Sequence, residues 1–539
     1  VLGPLGLLVY QSLLSAPFFD PTASYSTEAF RYILSNPDFH RAFGTSFLIS
    51  LGMTSIAAPL GSLLGFLVVR TDLPGRRWLE PWLLVPVFLS PVVVAFGYVV
   101  AVGPVGFFSL WSRSLLGVVP WNLYSVGGLI MIAGMTHVPH VFLYVSSALR
   151  SLDPAVEEAA RVTGAGPWRI AFTVSLPLVW PSILFSISLV FLLGFELFGL
   201  PLVLGDPGGL LVLTTYLYKL TNLLGVPSYQ LMAVVALSIV VITFPLVYLQ
   251  QRLLGTAARY AVIRGKGHAF RPLPLGELRW PMLALVLLWL LGVVVLPLAG
   301  VALSSVVRYW GEGVSLTEVL TLDHFRRLAG YPNLVRGIIN TLLIGGLGGA
   351  LAVAAYAAIA LSSHRWQSPV VSLTDYLVLV PRALPGLVVG LAFFWVFLFF
   401  KPLSPLRGTL VSLWLAYTVV WLAYGLKLIS AALLQVAPEL EEAARVTGAS
   451  QGLIYRDVTL PLIRFGLLGS WLLIFMMFVR EYSTGVYLLG PGTEVIGSLI
   501  VSLWGTGALD LIAALSVVEV AIVGLALFFA FRLGVRLDA

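Results

Sequence analysis

Most of the residues whose types and spacing could do chemistry lie in one short stretch that occurs twice. The sequence EEAARVTGA stands at residues 157–165 and again, letter for letter, at residues 441–449. Two acids, two small residues and a glycine can make polar contacts and allow the close approach of another chain. A mostly polar stretch repeated in a very apolar chain predicts a contact surface that is needed twice.

Other kinds of chemistry are excluded by what the sequence lacks. The chain has no cysteine, which excludes disulfides, thiolate metal sites, cysteine nucleophiles and cysteine-ligated iron–sulfur clusters. No G-x-x-x-x-G-K-[ST] stretch occurs, and GKGH at residues 265–268 lacks that spacing and the final Ser or Thr, so the chain carries no P-loop. We find no Ser/His/Asp arrangement or carboxylate pair that would predict a membrane enzyme.

The elements that must position the repeated stretch are membrane helices. The chain of 539 residues is 59% hydrophobic and 10% charged, whereas a soluble domain has about 25% charged residues. Apolar runs of about 20 residues, long enough to cross a bilayer as helices, recur along the whole length. The sequence therefore predicts an all-α polytopic membrane protein.

We predict twelve spans, six in each half of the chain. They cover roughly 1–16, 43–69, 82–103, 126–149, 177–204 and 229–251, and then 280–306, 335–362, 373–400, 408–433, 462–489 and 509–532. The first residues resemble the end of a membrane helix rather than a signal peptide, so we expect a short segment before them. The predicted domains are a first half at 1–255, a linker at 256–279 and a second half at 280–539.

The region between the halves sets the predicted orientation. It holds one acid, Glu277, against six basic residues, which are Arg252, Arg259, Arg264, Lys266, Arg271 and Arg279. An excess of Arg and Lys is typical of cytoplasmic loops, and it accounts for the formal charge of +7 without nucleic acid. With six spans per half, both termini and both copies of the repeated stretch then lie on the cytoplasmic side of a bacterial or archaeal plasma (inner) membrane.

The internal repeat extends beyond the nine letters. Pro86 and Pro381 occupy the same place in the third span of each half, and Glu196 and Glu481 lie one span after the repeated stretch. Two similar halves with an even span count predict a parallel repeat about an axis along the membrane normal, a known device of membrane transporters.

Each copy of the stretch lies in a predicted amphipathic hairpin between the fourth and fifth spans of its half. Asp153 is the predicted N-cap, Pro154 suits the first helical position, and Gly164 can take the left-handed conformation that ends a helix. Pro438 and Gly448 repeat the last two features. Such hairpins, near 152–176 and 436–460, offer a good surface for another protein, although an amphipathic loop duplicated with the gene is the alternative.

The stretch and its flank resemble the EAA motif of binding-protein-dependent ABC importer permeases. The matching residues are Glu158-Ala159-Ala160, Gly164 and Val174-Ser175-Leu176-Pro177, and at the same spacing Glu442-Ala443-Ala444, Gly448 and Val458-Thr459-Leu460-Pro461. The usual Ile before Leu-Pro is Val in both copies. The resemblance covers essentially the whole chain and implies the type I ABC importer permease fold.

The resemblance implies that each hairpin is a coupling helix that docks on one of two ATP-binding cassette subunits. ATP and Mg²⁺ would then bind to those partners, while this chain binds no cofactor and one extracytoplasmic solute-binding protein delivers the solute. Glu158 and Glu442 would make polar contacts with the partner, and Gly164 and Gly448 would make the turn. The residues assigned to coupling are Glu157, Glu158, Ala159, Ala160, Gly164, Glu441, Glu442, Ala443, Ala444 and Gly448.

The solute is predicted from a second resemblance. The passages at 195–220 and 479–504 resemble the fused permeases of ferric-iron importers. Importers of thiamine, phosphonates, polyamines and sugar phosphates share the architecture and stay alternatives. A secondary transporter without an ATPase is a rival, but it would leave the duplicated hairpins unexplained.

Intramembrane charges are the remaining candidates, because each costs roughly 2.5–3.5 kcal/mol at a helix centre on insertion scales. They are Glu196, Arg382, Arg480, Glu481, Asp510 and Glu519. In one hypothesis Glu196 and Glu481 face a translocation pathway near its outer end. In the other, which we favour, they pair with Arg480 or cap helix ends at a gate. His137 and His140 could suggest a metal, but hydrogen-bonded core histidines are favoured.

Overall fold

The fold is helical throughout the part of the chain that the computed structural model describes, which is residues 2–221, 227–260, 272–363, 381 and 384–533. Within those residues the extended pairings are isolated bridges such as Thr71–Leu273 and Val307–Leu320. Helices satisfy their backbone hydrogen bonds internally, as a bilayer requires. The predicted all-α polytopic fold class is confirmed.

The described residues contain eight helices that are long and apolar enough to cross a membrane, and ten spans if each of two bent pairs is one span. The eight are Pro37–Arg70, Pro91–Leu116, Val126–Ser151, Tyr229–Gln250, Gly276–Ser305, Pro332–Ser362, Gln451–Val479 and Leu509–Arg532. The bent pairs are Pro167–Leu178 with Trp180–Glu196, and Leu410–Val420 with Leu422–Leu433. The two remaining predicted spans contain the shorter helices Leu2–Ser12 and Gly386–Phe399.

One compact unit holds Tyr25–Thr321. Besides its spans it contains the helices Glu28–Ser35, Arg76–Phe88, Pro154–Val162, Leu213–Lys219 and Leu316–Val319, while the helices Phe107–Leu116 and Pro167–Ile170 are parts of its spans. The span Gly276–Ser305 packs against the helix Pro91–Val102 in this unit. A Cβ on Gly97 would lie 2.3 Å from the carbonyl oxygen of Pro297, so only glycine allows this approach of the two backbones.

The other compact unit holds Leu322–Leu537 together with Val1–Ser24. Its shorter helices are Asp323–Gly330, Pro438–Val446, Gln451–Ile454 and Ile496–Thr506. The helix Leu2–Ser12 packs against Gly386–Phe399, and the rings of Phe19 and Phe399 stack with centroids 5.1 Å apart. The compact units therefore do not coincide with the sequence repeats. The unit Tyr25–Thr321 includes the first span of the second repeat, and the unit with Leu322–Leu537 includes the first span of the first repeat.

Several spans contain a five-residue π-helical turn, at which backbone carbonyls lose their usual partners. In the turn Ile344–Gly348 the indole N–H of Trp414 donates to the Gly348 carbonyl at 2.8 Å, and that of Trp471 donates to the Gly346 carbonyl at 2.9 Å. In the turn Leu291–Val295 the Tyr98 hydroxyl donates to the Gly292 carbonyl at 2.8 Å. Aromatic side chains thus supply the donors that water cannot supply inside a bilayer.

Candidate functional site

The first hairpin, residues 153–170, begins at a capped helix and turns at a glycine. Asp153 accepts a hydrogen bond from the backbone N–H of Ala155 at 2.9 Å, which caps the helix Pro154–Val162. Gly164 has a φ of +85°, in the left-handed region that favours glycine. The short helix Pro167–Ile170 then leads into the next span.

The second hairpin, residues 437–454, has the same form without the side-chain cap. Ala437 stands at the cap position of the helix Pro438–Val446 and makes no side-chain hydrogen bond there. Glu439 and Glu441 lie in the first turn, where the partial positive charge of the helix N-terminus favours acids. Gly448 has a φ of +86°, so this turn repeats that of the first hairpin.

Each hairpin helix has an outward face that is open to a partner. Val162 is 85% exposed and Val446 is 89% exposed, although both are apolar. Also exposed are Glu158, Ala159 and Gly164, and their counterparts Glu442, Ala443 and Gly448, while Ala160 and Ala444 are half-buried. The residues assigned to coupling from the sequence therefore lie largely on the open face, apart from two glutamates.

Those two glutamates, Glu157 and Glu441, point inward, and each is 2% exposed. Ser175 donates its hydroxyl to Glu157 Oε1 at 2.7 Å, and Thr459 donates its hydroxyl to Glu441 Oε1 at 2.9 Å. The partners are 18 residues apart in both repeats. A hydrogen bond to a charged group contributes about 1.5–3 kcal/mol, so each pair holds its hairpin to the span that follows.

In the first repeat an arginine extends the contact to the preceding span. Arg70 is 2% exposed, and its Nε lies 3.3 Å from Glu157 Oε1. Its Nη2 donates to the carbonyl oxygens of Leu149 at 2.5 Å and Leu152 at 3.4 Å, at the end of the helix Val126–Ser151. A buried carboxylate costs several kcal/mol unless it is paired and hydrogen-bonded, and Arg70 provides that pairing.

Ser175 and Thr459 both end a π-helical turn. These turns are Ala171–Ser175 and Tyr455–Thr459, and each begins directly after the short second helix of its hairpin. A π turn inside an α-helix is uncommon and is often found at functional sites. The same turn in the same place in both repeats marks the junction between hairpin and span as a specific structure.

This geometry agrees with a comparison to known protein families. The profile of the family described as binding-protein-dependent transport system inner membrane component matches residues 57–255 and again residues 350–539. The chain belongs to that family. It is a permease subunit of an ABC importer and a multi-pass inner membrane protein, with one family domain in each repeat.

Three relatives indicate where the permease stands within the family. It is 24% identical over 463 residues to the ferric transport system permease protein FbpB of Actinobacillus pleuropneumoniae, covering 84% of this chain and 65% of that protein. It is 22% identical to the Fe(3+)-transport system permease protein FbpB 2 of Haemophilus influenzae, covering 88% of this chain and 85% of that protein. It is 31% identical to the molybdenum transport system permease protein ModB of Escherichia coli, covering 35% of this chain and 82% of that protein.

The intramembrane carboxylate Glu481 lies at a bend of the permease. It is 7% exposed, and its Oε1 accepts hydrogen bonds from the Ser483 hydroxyl at 2.9 Å and from Thr484, whose N–H is at 3.1 Å and hydroxyl at 3.0 Å. Its Oε2 accepts from the indole N–H of Trp421 at 3.2 Å. Trp421 is the residue between the two helices of the bent pair, so this carboxylate supports the bend.

The other predicted intramembrane charges have varied surroundings. Glu196 is the last residue of the helix Trp180–Glu196 and is half-buried, and Arg480 follows the helix Leu460–Val479 and is half-buried. Asp510 pairs with Arg327 and His324, and Glu519 is buried, while Arg382 lies outside the described residues. The hypothesis that Glu196 and Glu481 face a pathway stays a prediction.

The histidine pair of the permease makes ordinary helix contacts. His137 Nδ1 lies 2.7 Å from the carbonyl oxygen of Ala133, and the rings of His137 and His140 stack with centroids 5.2 Å apart. Within the described residues, no group of three or more His, Asp or Glu side chains could hold a metal ion.

The sequence analysis did not assign three residues of the hairpin contacts to the site. They are Arg70, which pairs with Glu157, and Ser175 and Thr459, whose hydroxyls donate to the buried glutamates. Ser175 and Thr459 carried a signal, because both repeats place a hydroxyl residue 18 positions after the first glutamate of the stretch. Arg70 carried none, since it is the last residue of a distant span.

Proposed function

We propose that the chain is the membrane subunit through which two ATP-binding cassette subunits drive the import of ferric iron from an extracytoplasmic binding protein. The two hairpins would each hold one ATPase subunit on the cytoplasmic face, where both termini would also lie. ATP and Mg²⁺ would bind to those subunits and not to this chain.

The support for the ATPase contact is the pair of open hairpin faces. Val162 and Val446 are apolar and exposed, and Glu158 and Glu442 stand beside alanines that leave room for a partner backbone. A single exposed apolar residue is ordinary on a protein surface, so the support lies in its recurrence at the same place in both repeats. The same face occurs in both family domains, which supports two partner subunits.

Transport in this proposal proceeds by alternating access. ATP binding draws the two ATPase subunits together, and the hairpins carry that movement into the spans, so the cavity opens toward the loaded binding protein. Hydrolysis and product release return the cavity to the cytoplasmic side, as one repeat rocks against the other.

Iron is supported by the length of the match to the ferric relatives. Two FbpB proteins align with 84% and 88% of this chain, and therefore with both repeats in one polypeptide. A molybdenum oxyanion is the second candidate, because the ModB relative is 31% identical over its shorter alignment. Thiamine, phosphonates, polyamines and sugar phosphates are the further alternatives.

The experiment is ATP hydrolysis by the permease–ATPase complex reconstituted in lipid nanodiscs. The system's binding protein is added empty, loaded with ferric iron, or loaded with molybdate, thiamine, a phosphonate or a polyamine. We expect stimulation with the iron-loaded protein alone. Stimulation by molybdate alone would keep the importer and replace the solute, and the absence of any complex with an ATPase would overturn the proposal.

A matched control separates docking from folding. The variant Glu158→Lys with Glu442→Lys reverses the charge on both open faces and leaves the buried pairs intact. It should lose the ATPase subunits while its thermal melting in nanodiscs stays at the wild-type temperature.

A further inference from the structure

We infer that Glu157 with Ser175, and Glu441 with Thr459, are positioning pairs that make each hairpin move as one body with the span that follows it. This inference rests on the proposed function, because it says how a push on a hairpin reaches the membrane. It assigns the buried glutamates to transmission within the chain, in contrast to Glu158 and Glu442 on the partner face.

Both hairpin helices are short. Pro154–Val162 and Pro438–Val446 have nine residues each. Helices this short are marginal in isolation, so tertiary contacts must fix their orientation. Because their outward faces are open, the inward face has to provide those contacts.

The inward polar contact is the same in both repeats. Each is a buried carboxylate bonded to a hydroxyl 18 residues later, at 2.7 Å and at 2.9 Å. A hydroxyl–carboxylate bond is directional and short, and a buried one has no competing water. Apolar packing alone would let the helix slide, whereas this bond fixes one point of the hairpin to one point of the span.

In both repeats that point of the span lies in a π-helical turn. Ser175 and Thr459 are the last residues of the π-helical turns Ala171–Ser175 and Tyr455–Thr459. A π turn is the place at which an otherwise regular helix can change its hydrogen-bond pattern. The bond therefore joins the hairpin to the end of that turn, directly before the α-helical segments Leu176–Leu178 and Leu460–Val479.

In the first repeat the described residues also show a connection in the other direction. Arg70 contacts Glu157 and also the carbonyls of Leu149 and Leu152, which end the span that enters the hairpin. Glu157 is thus connected both to the span before the hairpin and to the span after it.

The test removes the two hydroxyls in one set of variants and exchanges serine and threonine between the two repeats in another set. Ser175→Ala and Thr459→Ala delete one hydroxyl donor each and leave both carboxylates in place, and Thr459→Ala also removes one buried methyl group. Ser175→Thr and Thr459→Ser are the conservative controls, because each installs the residue that the other repeat uses. All variants are purified with the ATPase subunits, and the solute moved per ATP hydrolysed is measured with the iron-loaded binding protein.

We expect the two alanine changes together to leave the ATPase content unchanged and to lower the solute moved per ATP at least tenfold, because each change removes a hydrogen bond to a charged group. The exchanged variants should stay near wild type. An unchanged ratio in the double alanine variant would overturn the inference, and so would exchanged variants as defective as the alanine ones.

A second measurement works on the permease alone and does not depend on the ATPase or the solute. The chain has no cysteine, so nitroxide labels can be placed at Val446→Cys on the hairpin and Phe465→Cys on the next span, both of which are exposed. The distance distribution between the labels should broaden in Thr459→Ala and stay narrow in Thr459→Ser. Equal widths in both variants would contradict the positioning pair, whereas a permease that bound no ATPase would contradict the proposed function only.

Discussion

In the first repeat the span after the hairpin bends by 71° between Leu178 and Trp180, whereas in the second repeat the span before the hairpin bends by 62° at Trp421. The counterparts, Gln451–Val479 and Val126–Ser151, are single spans. The hairpins themselves differ much less, since both have a nine-residue helix, a left-handed glycine and a buried glutamate. The hairpins and their contacts are alike while the spans around them have diverged.

A second contact follows the same pattern on the other side of each fifth span. The N–H of Leu213 donates to the Ser46 hydroxyl at 2.9 Å, and the N–H of Ile496 donates to the Thr341 hydroxyl at 2.9 Å. Each repeat therefore fixes the segment after the fifth span to its second span in the same way. The two repeats therefore share a few polar contacts, and they differ in which span is bent.

Reversing the charge on one open face only should produce the largest difference between the two hairpins in the binding of ATPase subunits. Glu158→Lys and Glu442→Lys should each weaken the binding of one ATPase subunit about a hundredfold or more, because like charges at an interface cost several kcal/mol. The double change should abolish the complex. Titration of labelled ATPase subunits onto the permease in nanodiscs measures this.

Glu439→Lys is the control for that prediction. Glu439 lies on the second hairpin helix and is exposed, but it stands outside the repeated stretch. Loss of ATPase binding in this variant to the same extent would show that net charge, and not the repeated face, governs binding.

The glycine turns provide the next largest effect. Gly164→Ala and Gly448→Ala should each lower the free energy of unfolding by about 1–2 kcal/mol, because an L residue at a φ near +85° is strained. Gly166→Ala is the matched control, since Gly166 has a φ of −72° and open space around it. Equal melting temperatures for Gly164→Ala and Gly166→Ala would refute the strained turn.

A feature of this site could be predicted from the sequence when the residues that form it are close together in the chain. The spans, the repeat and the turns at Gly164 and Gly448 depend on local pattern, so the sequence predicts them. Which of two adjacent glutamates points inward depends on how the short helix packs, and no local pattern separates Glu157 from Glu158. The sequence therefore predicted the hairpin surface but not its inner contacts.

The bend of the second repeat could not be predicted from proline, whereas the bend of the first repeat lies between Pro177 and Pro181. Pro59 and Pro139 lie inside helices that stay single spans. The bent pair Leu410–Val420 and Leu422–Leu433 contains no proline. Its geometry depends on Glu481, which is far away in sequence and bonds to Trp421.

Glu481→Gln tests that account of the second-repeat bend. One carboxylate oxygen becomes an NH₂ group that faces a donor, either Trp421 or the Ser483 and Thr484 hydroxyls. We expect the free energy of unfolding to fall by about 1–3 kcal/mol, the cost of a buried unsatisfied group. Thermal melting in nanodiscs measures this, and Glu196→Gln is the comparison at the other repeat.

Transport assays of the same two variants address the pathway hypothesis. If Glu196 and Glu481 face the solute, both glutamine variants should change the transport rate or the apparent affinity. Normal transport with normal affinity in both variants would leave them a purely structural role.

The smallest predicted effect concerns an ion pair found in the second repeat. Arg336 donates to both oxygens of Glu494, at 2.9 Å and 2.8 Å. Glu494 stands two residues before Ile496, and the residue at the corresponding place before Leu213 in the first repeat is Leu211. Burial alone would raise the pKa of the Glu494 carboxyl, but the hydrogen bonds from Arg336 and Gly492 outweigh it and hold the pKa below its ordinary value. The pair's stabilisation is then present at neutral pH and is lost as the pH falls below about 4.5 through the lowered pKa.

Melting curves between pH 7 and pH 4 measure this contribution, when the pH dependence that comes from the other titrating groups of the protein is subtracted. Glu494→Gln should remove that part of the pH dependence, because the amide does not titrate. An identical pH dependence in Glu494→Gln and wild type would show that the ion pair contributes nothing measurable, which is common for partly exposed pairs.

The central claim, that each hairpin holds one ATPase subunit, is tested most directly by the mass of the intact complex. Native mass spectrometry of the permease with its ATPase partner should show two ATPase copies in wild type, one in Glu158→Lys or in Glu442→Lys, and none in the double variant. Two copies retained in the double variant, or a wild-type complex with a single copy, would contradict the account.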